Sequence, residues 1–235
     1  MAVESKSFRA VANPLPPLTI RVHTETLSSV WRRRLVWAQV IIAFLAVECG
    51  VWAARLSVRN RWAIAAGIIV VTFALVDRPS VRRLGLGLPT AMGTGLMLGV
   101  GLVCSVLLTL LSHWVGGPVP ANPLFSNMHL AWQYMVWALV QEFMLQSFFF
   151  TRCEELFGSA TAVWITATFF AVIHVPNMVL TTFTLIGGLF FCEMFRRYRS
   201  IYLLGIVHAV LGLTLSATIP ASLLYNLRVG IGFLR

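Results

Sequence analysis

A chain of 235 residues that is 58% hydrophobic and only 11% charged, with a mean hydropathy of +0.83, is not a soluble domain, in which about a quarter of the residues carry charge. Its formal net charge of +10 would point a soluble protein toward nucleic acid. Here the arginines fall between apolar runs, where they serve as topology signals and headgroup contacts, and that pattern excludes nucleic-acid binding.

Residues 1–34 are polar, carry the Pro-rich stretch Asn13-Pro14-Leu15-Pro16-Pro17 and end in Arg32-Arg33-Arg34. Proline disfavours a helix there, so this segment is expected to be an interfacial or loosely ordered leader. It lacks the continuous apolar core of a cleavable signal peptide. Seven apolar runs follow, at about 35–56, 62–77, 90–114, 128–151, 159–176, 179–195 and 200–219, each near the ~20 residues that span a bilayer. The fold class is therefore all-α, a polytopic transmembrane helix bundle of about seven spans. Residues 35–220 form one membrane domain and residues 221–235 a short C-terminal tail.

With the N-terminus in the cytoplasm, the inside segments carry Lys6, Arg9, Arg21, Arg32, Arg33, Arg34, Arg78, Arg82, Arg83, Arg152, Arg196, Arg197 and Arg199. The outside keeps Arg55, Arg59, Arg61, Arg228 and Arg235. The positive-inside bias favours this orientation, with the 57–61 loop dissenting. Gly95, Gly99, Gly101, Gly187 and Gly188 offer small surfaces for close helix packing. The four cysteines lie at no metal-ligand spacing and are expected to be small core residues.

Polar groups inside apolar runs are costly and call for a reason. Glu142 lies in the fourth run with Gln141 and Gln146, and Glu142 and Gln146, four apart, share a helix face. His174 and Phe170 are likewise four apart, before the break at Pro176-Asn177, and His208 is followed one turn later by Gly212. At 1.5 Å per residue, Glu142 lies about 15 Å from Arg152 and His208 about 13 Å from Arg199, both near mid-membrane; His174 comes out roughly 22 Å from Ser159 and nearer the outer face. Glu48 is expected to be a bundle contact, Glu193 a partner of Arg196 and Arg197, and Glu154 and Glu155 a solvated helix end.

One carboxylate and two imidazoles suit water activation: a base takes the proton, an imidazole holds the water, and a second imidazole stabilises the oxyanion. The same trio also matches some catalytic zinc sites, but no His-Glu-x-x-His motif is present. A proton-relay carrier using the trio would be expected to show a repeated half, and none is evident.

Three motifs resemble those of the CPBP intramembrane proteases, the group named for CAAX prenyl proteases and bacteriocin processing. The family's Glu-Glu-x-x-x-Arg lines up with Gln141-Glu142-Phe143-Met144-Leu145-Gln146. Its Phe-x-x-x-His is intact from Phe170 to His174, and Val175-Pro176-Asn177 continues it. Its His-x-x-x-Asn appears as His208 to Gly212, and the stretch Arg82-Arg83-Leu84-Gly85-Leu86 is also similar. The resemblance implies a cavity among helices where a peptide bond of a membrane-associated protein or hydrophobic peptide is hydrolysed by a metal-independent glutamic mechanism, without zinc. It implies Glu142 as general base, His174 positioning water and His208 binding the oxyanion, with Gln141, Gln146, Phe170, Asn177 and Gly212 lining the substrate site. It also implies a prokaryotic cytoplasmic membrane and contact with membrane lipid.

Three positions depart from the family. The first Glu of its pair, held to activate water, is Gln141; the motif Arg is Gln146; and the Asn thought to help the oxyanion site is Gly212. One charge of each sign is lost together. The chain is therefore expected to be either a variant endopeptidase or a catalytically silent relative that binds a hydrophobic or lipid-modified peptide or a partner protein.

Overall fold

A computed structural model of the protein describes residues 27–114 and 127–235; most of the expected leader, with His23, and the uncharged 115–126 loop lie outside them. Among the described residues the chain is helical, with one isolated backbone bridge between Leu86 and Ser200. The helices are α1 (Leu27–Val51), α2 (Leu56–Leu75), α3 (Ala91–Trp114), α4 (Met128–Glu142), α5 (Thr151–Phe157), α6 (Ser159–Val172), α7 (Met178–Tyr198), α8 (Ile201–Thr218) and the single turn α9 (Ala221–Leu224). A π-helical stretch, Phe143–Phe150, joins α4 to α5 in one continuous rod. Helices α1, α2, α3, α7 and α8 are each long and apolar enough to cross a membrane.

Each of the seven expected apolar runs is helical, and their ends have local causes. Asn127 caps α4, its side chain accepting from the His129 amide. Gly158, at φ +81°, separates α5 from α6, and Arg199 ends α7 in the left-handed region. Two helix starts differ from expectation. Helix α1 starts at Leu27, so Arg32–Arg34 ride on a helix. Helix α2 starts at Leu56, so Arg59 and Arg61 belong to its first turns and not to a loop. Residues 221–235 fold back on the bundle, with the Gly230 amide donating to Val175 O at 3.0 Å and Arg235 to Ala54 O at 2.7 Å.

Helix α8 packs between α3 and α4, while α6 packs on α7 and α1 on α2. Half of the apolar window of α8 is buried against 11% of that of α3, so α8 is the central post and α3 an outer wall. Small residues permit these approaches: Gly101 of α3 faces Val207, and a Cβ on Gly205 would stand 3.1 Å from the Leu139 backbone. Gly188 does the same against Ala167, whereas a Cβ on Gly95 or Gly99 would meet open space among the described residues.

The stretch from Ser80 to Leu86 is stapled to one end of the bundle. Ser147 Oγ donates to Leu84 O at 2.6 Å and the Ile201 amide to Gly85 O at 2.9 Å. Gly85 has φ +71°, and a side chain there would collide with the Phe195 ring, so glycine is required twice over.

At that same end the charges interlock. Arg32 binds both Asp77 oxygens, at 2.7 and 2.6 Å, and Glu155 at 2.7 Å. The buried Arg152 donates to Asp77 at 2.8 Å and also to Phe73 O. Arg83 reaches Glu155 at 3.1 Å and Arg199 reaches Glu154, while Glu193 takes Arg196 and Arg197 as expected. Glu154 and Glu155 are thus ion-paired on α5 and not a merely solvated helix end. The Arg32 hydrogen bond, with help from Arg152, holds the Asp77 carboxyl well below its ordinary value of 3.8. Burial pushes the Glu155 carboxyl up, but the hydrogen bond and charge of Arg32 and the charges of Arg152 and Arg83 outweigh it and leave it below 4.5.

Folded-state values below the unfolded ones contribute stability that is fully present above the unfolded values and is lost as pH falls toward the folded ones. Thermal melting of the purified protein is therefore expected to fall as pH drops below about 4.5, and Asp77→Asn protein is expected to lose less over the same range. At neutral pH, Asp77→Asn should cost about 1–3 kcal/mol, less than the ~3–5 of a fully buried pair, because Asp77 is partly exposed to solvent screening.

Candidate functional site

Glu142 closes α4 and is completely buried. Its Oε1 lies 2.9 Å from His208 Nδ1, and its Oε2 accepts from Gln146 Nε2 at 3.1 Å. A carboxylate only accepts, so His208 Nδ1 carries the proton and Nε2 is left as the free ring nitrogen. The π-helical stretch begins directly after Glu142. Its residues Leu145 to Phe150 are all buried, including Gln146, so the second partner of the carboxylate is held inside the bundle. Such wide turns recur at functional sites.

His174 reaches the same region by a different route. Helix α6 stops at Val172, and His174 sits on the turn beyond it, where its Nδ1 donates to Phe170 O at 2.6 Å. The expected run to 176 thus ends early as a helix, and the His174 ring leans back one turn onto Phe170 O. Phe170 stands edge-on to both imidazoles, with ring centroids 4.8 Å from His174 and 5.7 Å from His208, and Phe191 stacks on His208 at 5.3 Å. Both histidines are therefore fixed by their Nδ1 bonds and by aromatic packing, with Nε2 free in each.

A cavity of about 530 Å³ opens among α3, α4, α7 and α8. Tyr134, Gln141, Phe170, His174, His208 and Gly212 are on its wall. A second apolar cavity of about 490 Å³ lies toward α1 and α2, and Trp137, Gln141, Phe170, His174 and Leu227 belong to both. Gln141 and His174 thus stand on the partition between two apolar chambers.

The sequence-predicted residues divide accordingly. Gln141, Phe170, His174, His208 and Gly212 share one wall. Glu142 and Gln146 lie behind it, and Glu142 meets the cavity only through His208. Asn177 is buried and fully engaged elsewhere: it accepts from the Leu180 amide as the cap of α7 and donates to Leu224 O at 2.8 Å and Arg228 O at 3.1 Å. It fastens the C-terminal segment, which brings Leu227 to both cavities. Tyr134 was not anticipated. It precedes Gln141 by seven residues, two helical turns, so the two share a face; that periodicity was the available signal.

Among the described residues no three His, Cys, Asp or Glu side chains are grouped to hold an ion. Both Glu142 oxygens are engaged behind the wall, leaving two imidazoles and an amide, which is short of the three-ligand set of catalytic zinc.

Residues 123–214 match the family model described as Type II CAAX prenyl endopeptidase Rce1-like. The matched stretch takes in Gln141, Glu142, Phe170, His174, His208 and Gly212, and it bears out the CPBP resemblance seen in the motifs. No curated protein matches the chain.

Gln146→Leu removes the partner of Glu142 Oε2 and leaves a buried acceptor unsatisfied. It is expected to cost about 1–3 kcal/mol of stability, read as a lower melting temperature in detergent. Trp132→Leu, at an exposed position on α4, is expected to melt within about 0.5 kcal/mol of the parent.

Proposed function

We propose that the protein is an intramembrane endopeptidase that hydrolyses a peptide bond in a membrane-associated protein or hydrophobic peptide. The observation that carries this reading is the Glu142–His208 pair: an imidazole on a cavity wall, backed by a fully buried carboxylate on its far nitrogen. In this arrangement His208 Nε2 takes the proton from water, and Glu142 holds the tautomer and stabilises the imidazolium that forms, the role a buried acid plays behind histidine in serine hydrolases. Glu142 thus contributes its charge through His208. His174 presents a second free Nε2, which accepts a hydrogen bond from the same water and aims it. Gln141 contributes an amide on the partition, able to orient water or a substrate carbonyl but not to remove a proton.

The apolar chambers suit a substrate that arrives through lipid, and membrane lipid is its immediate surroundings. The charged end of the bundle collects Arg32, Arg83, Arg152, Arg196, Arg197 and Arg199, which supports placing that end, and with it the start of α1, on the cytoplasmic side. A prokaryotic cytoplasmic membrane is the proposed location. One observation favours the silent, peptide-binding alternative: the carboxylate lies behind the wall, and the side chain that faces the cavity in the first motif is the uncharged Gln141.

Purified protein in nanodiscs, offered hydrophobic and lipid-tailed peptides, is expected to cleave some of them in the presence of chelator. His208→Ala should lower the rate by roughly 10²–10⁴-fold, the usual worth of a positioned proton-transfer group, and Glu142→Gln should lower it as well. Gln141→Glu is expected to raise turnover. Peptide binding without cleavage, unchanged by His208→Ala, establishes the silent binder instead.

A further inference from the structure

Gly212 has no side chain, yet the space a side chain would fill is taken. A Cβ built on Gly212 collides with the Tyr134 hydroxyl. Gly212 lies four residues after His208 on α8, so the two point to the same face of that helix. Residues at that spacing have Cβ atoms about 5–6 Å apart. The phenol of α4 therefore delivers its oxygen to the position that residue 212 would otherwise occupy, one turn from His208 and on the same cavity wall.

The polar inventory of that wall shows what is in short supply. Both imidazoles spend their Nδ1 protons on Glu142 and on Phe170 O, so each offers the cavity a lone pair. Thr184 donates to Thr181 O, and the N–H and O–H donors left on the wall are the Gln141 amide, the Trp137 indole and the Tyr134 hydroxyl, of which Tyr134 is the one at the Gly212 position. A carbonyl oxygen gaining charge needs donors, and the Tyr134 hydroxyl has no hydrogen-bond partner among the described residues. A phenol is protonated at neutral pH, and a neutral donor in an apolar chamber costs little reorganisation when charge appears beside it.

We propose that the Tyr134 hydroxyl is a catalytic hydrogen-bond donor for the scissile carbonyl oxygen, supplied from α4 to a position on α8 that glycine leaves open. The assignment rests on the peptidase reading and deepens it. Water oxygen forms a bond to the carbonyl carbon, its proton passes to His208 Nε2, and the carbonyl π pair moves to oxygen, where the Tyr134 O–H stabilises it. The oxyanion then collapses, the C–N bond breaks, and the proton on His208 goes to the departing amine. Tyr134 keeps its proton throughout.

The test compares wild-type protein in nanodiscs with Tyr134→Phe, which removes one oxygen atom and keeps the ring. The expected result is a fall in kcat of roughly 10²-fold, the usual loss for an oxyanion donor, with KM unchanged. Affinity for a phosphinic peptide, which mimics the tetrahedral state, should fall by a similar factor while affinity for the uncleaved amide stays constant. Gly212→Ala should mimic Tyr134→Phe by displacing the hydroxyl. Gly212→Asn placed on Tyr134→Ala should recover activity over Tyr134→Ala alone, because an amide donor fills the vacated space. Wild-type cleavage with Tyr134→Phe turning over equally fast, or changing only KM, overturns the assignment and leaves the peptidase reading standing. A wild-type protein that neither cleaves nor prefers the phosphinic peptide overturns both.

Discussion

A carboxylate that is wholly buried in a membrane bundle has to be partnered on both oxygens, and the burial of Glu142 organises what surrounds it. Its partners come from two places: His208 on the central helix α8, and Gln146 one widened turn further along its own rod. The first bond ties α4 to α8 and sets the tautomer of His208. The second explains why Gln146, remote from the cavity, is buried at all. An unpaired acid there would cost several kcal/mol, so these three residues form one unit, and displacing any one of them exposes the others to an unmet polar demand.

The charged end of the bundle provides the complementary anchor. Arg152 closes the same rod that carries Glu142, and its pairing with Asp77, which Arg32 also holds, connects α1, α2 and α5. The rod is therefore fixed at Glu142 by α8 and nearer its charged end by Arg152. Between these points runs the π-helical stretch, whose phenylalanines pack in two directions: Phe148 and Phe149 toward α1 and α2, and Phe150 toward α7. Residues Leu145 to Cys153 are buried on every side, so this part of the rod runs through the interior of the bundle.

The membrane class, the helical runs and the polar residues at 141, 142, 146, 174 and 208 were legible in the sequence because each signal is local: an apolar length, an i,i+4 pair, a motif. The pairing of Glu142 with Gln146 follows from spacing alone. What was not legible depends on distant partners. Glu154 and Glu155 look solvated until Arg32, Arg83 and Arg199 are folded against them. Asn177 looks like a site residue because it follows the histidine motif, yet its amide is consumed by Leu224 and Arg228. The end of the fifth run is not legible either: apolar residues continue to 176, but the chain turns after Val172.

Gly212 is the clearest case of a residue whose meaning lies elsewhere in the chain. Alone it looks like the loss of a polar side chain from a motif. Beside Tyr134 it is a vacancy already filled, and the filling atom is again a hydrogen-bonding oxygen. The changes at 141 and 146 have the same character, since each replaces a charge with an amide, and one amide is now bonded to the acid that remains. Together the three positions describe a site that sheds formal charge while retaining hydrogen-bonding groups on the cavity wall and behind it. Such a site keeps its geometry at a lower desolvation cost. The ionisable pair that the bundle still buries beside the cavity is Glu142 with His208.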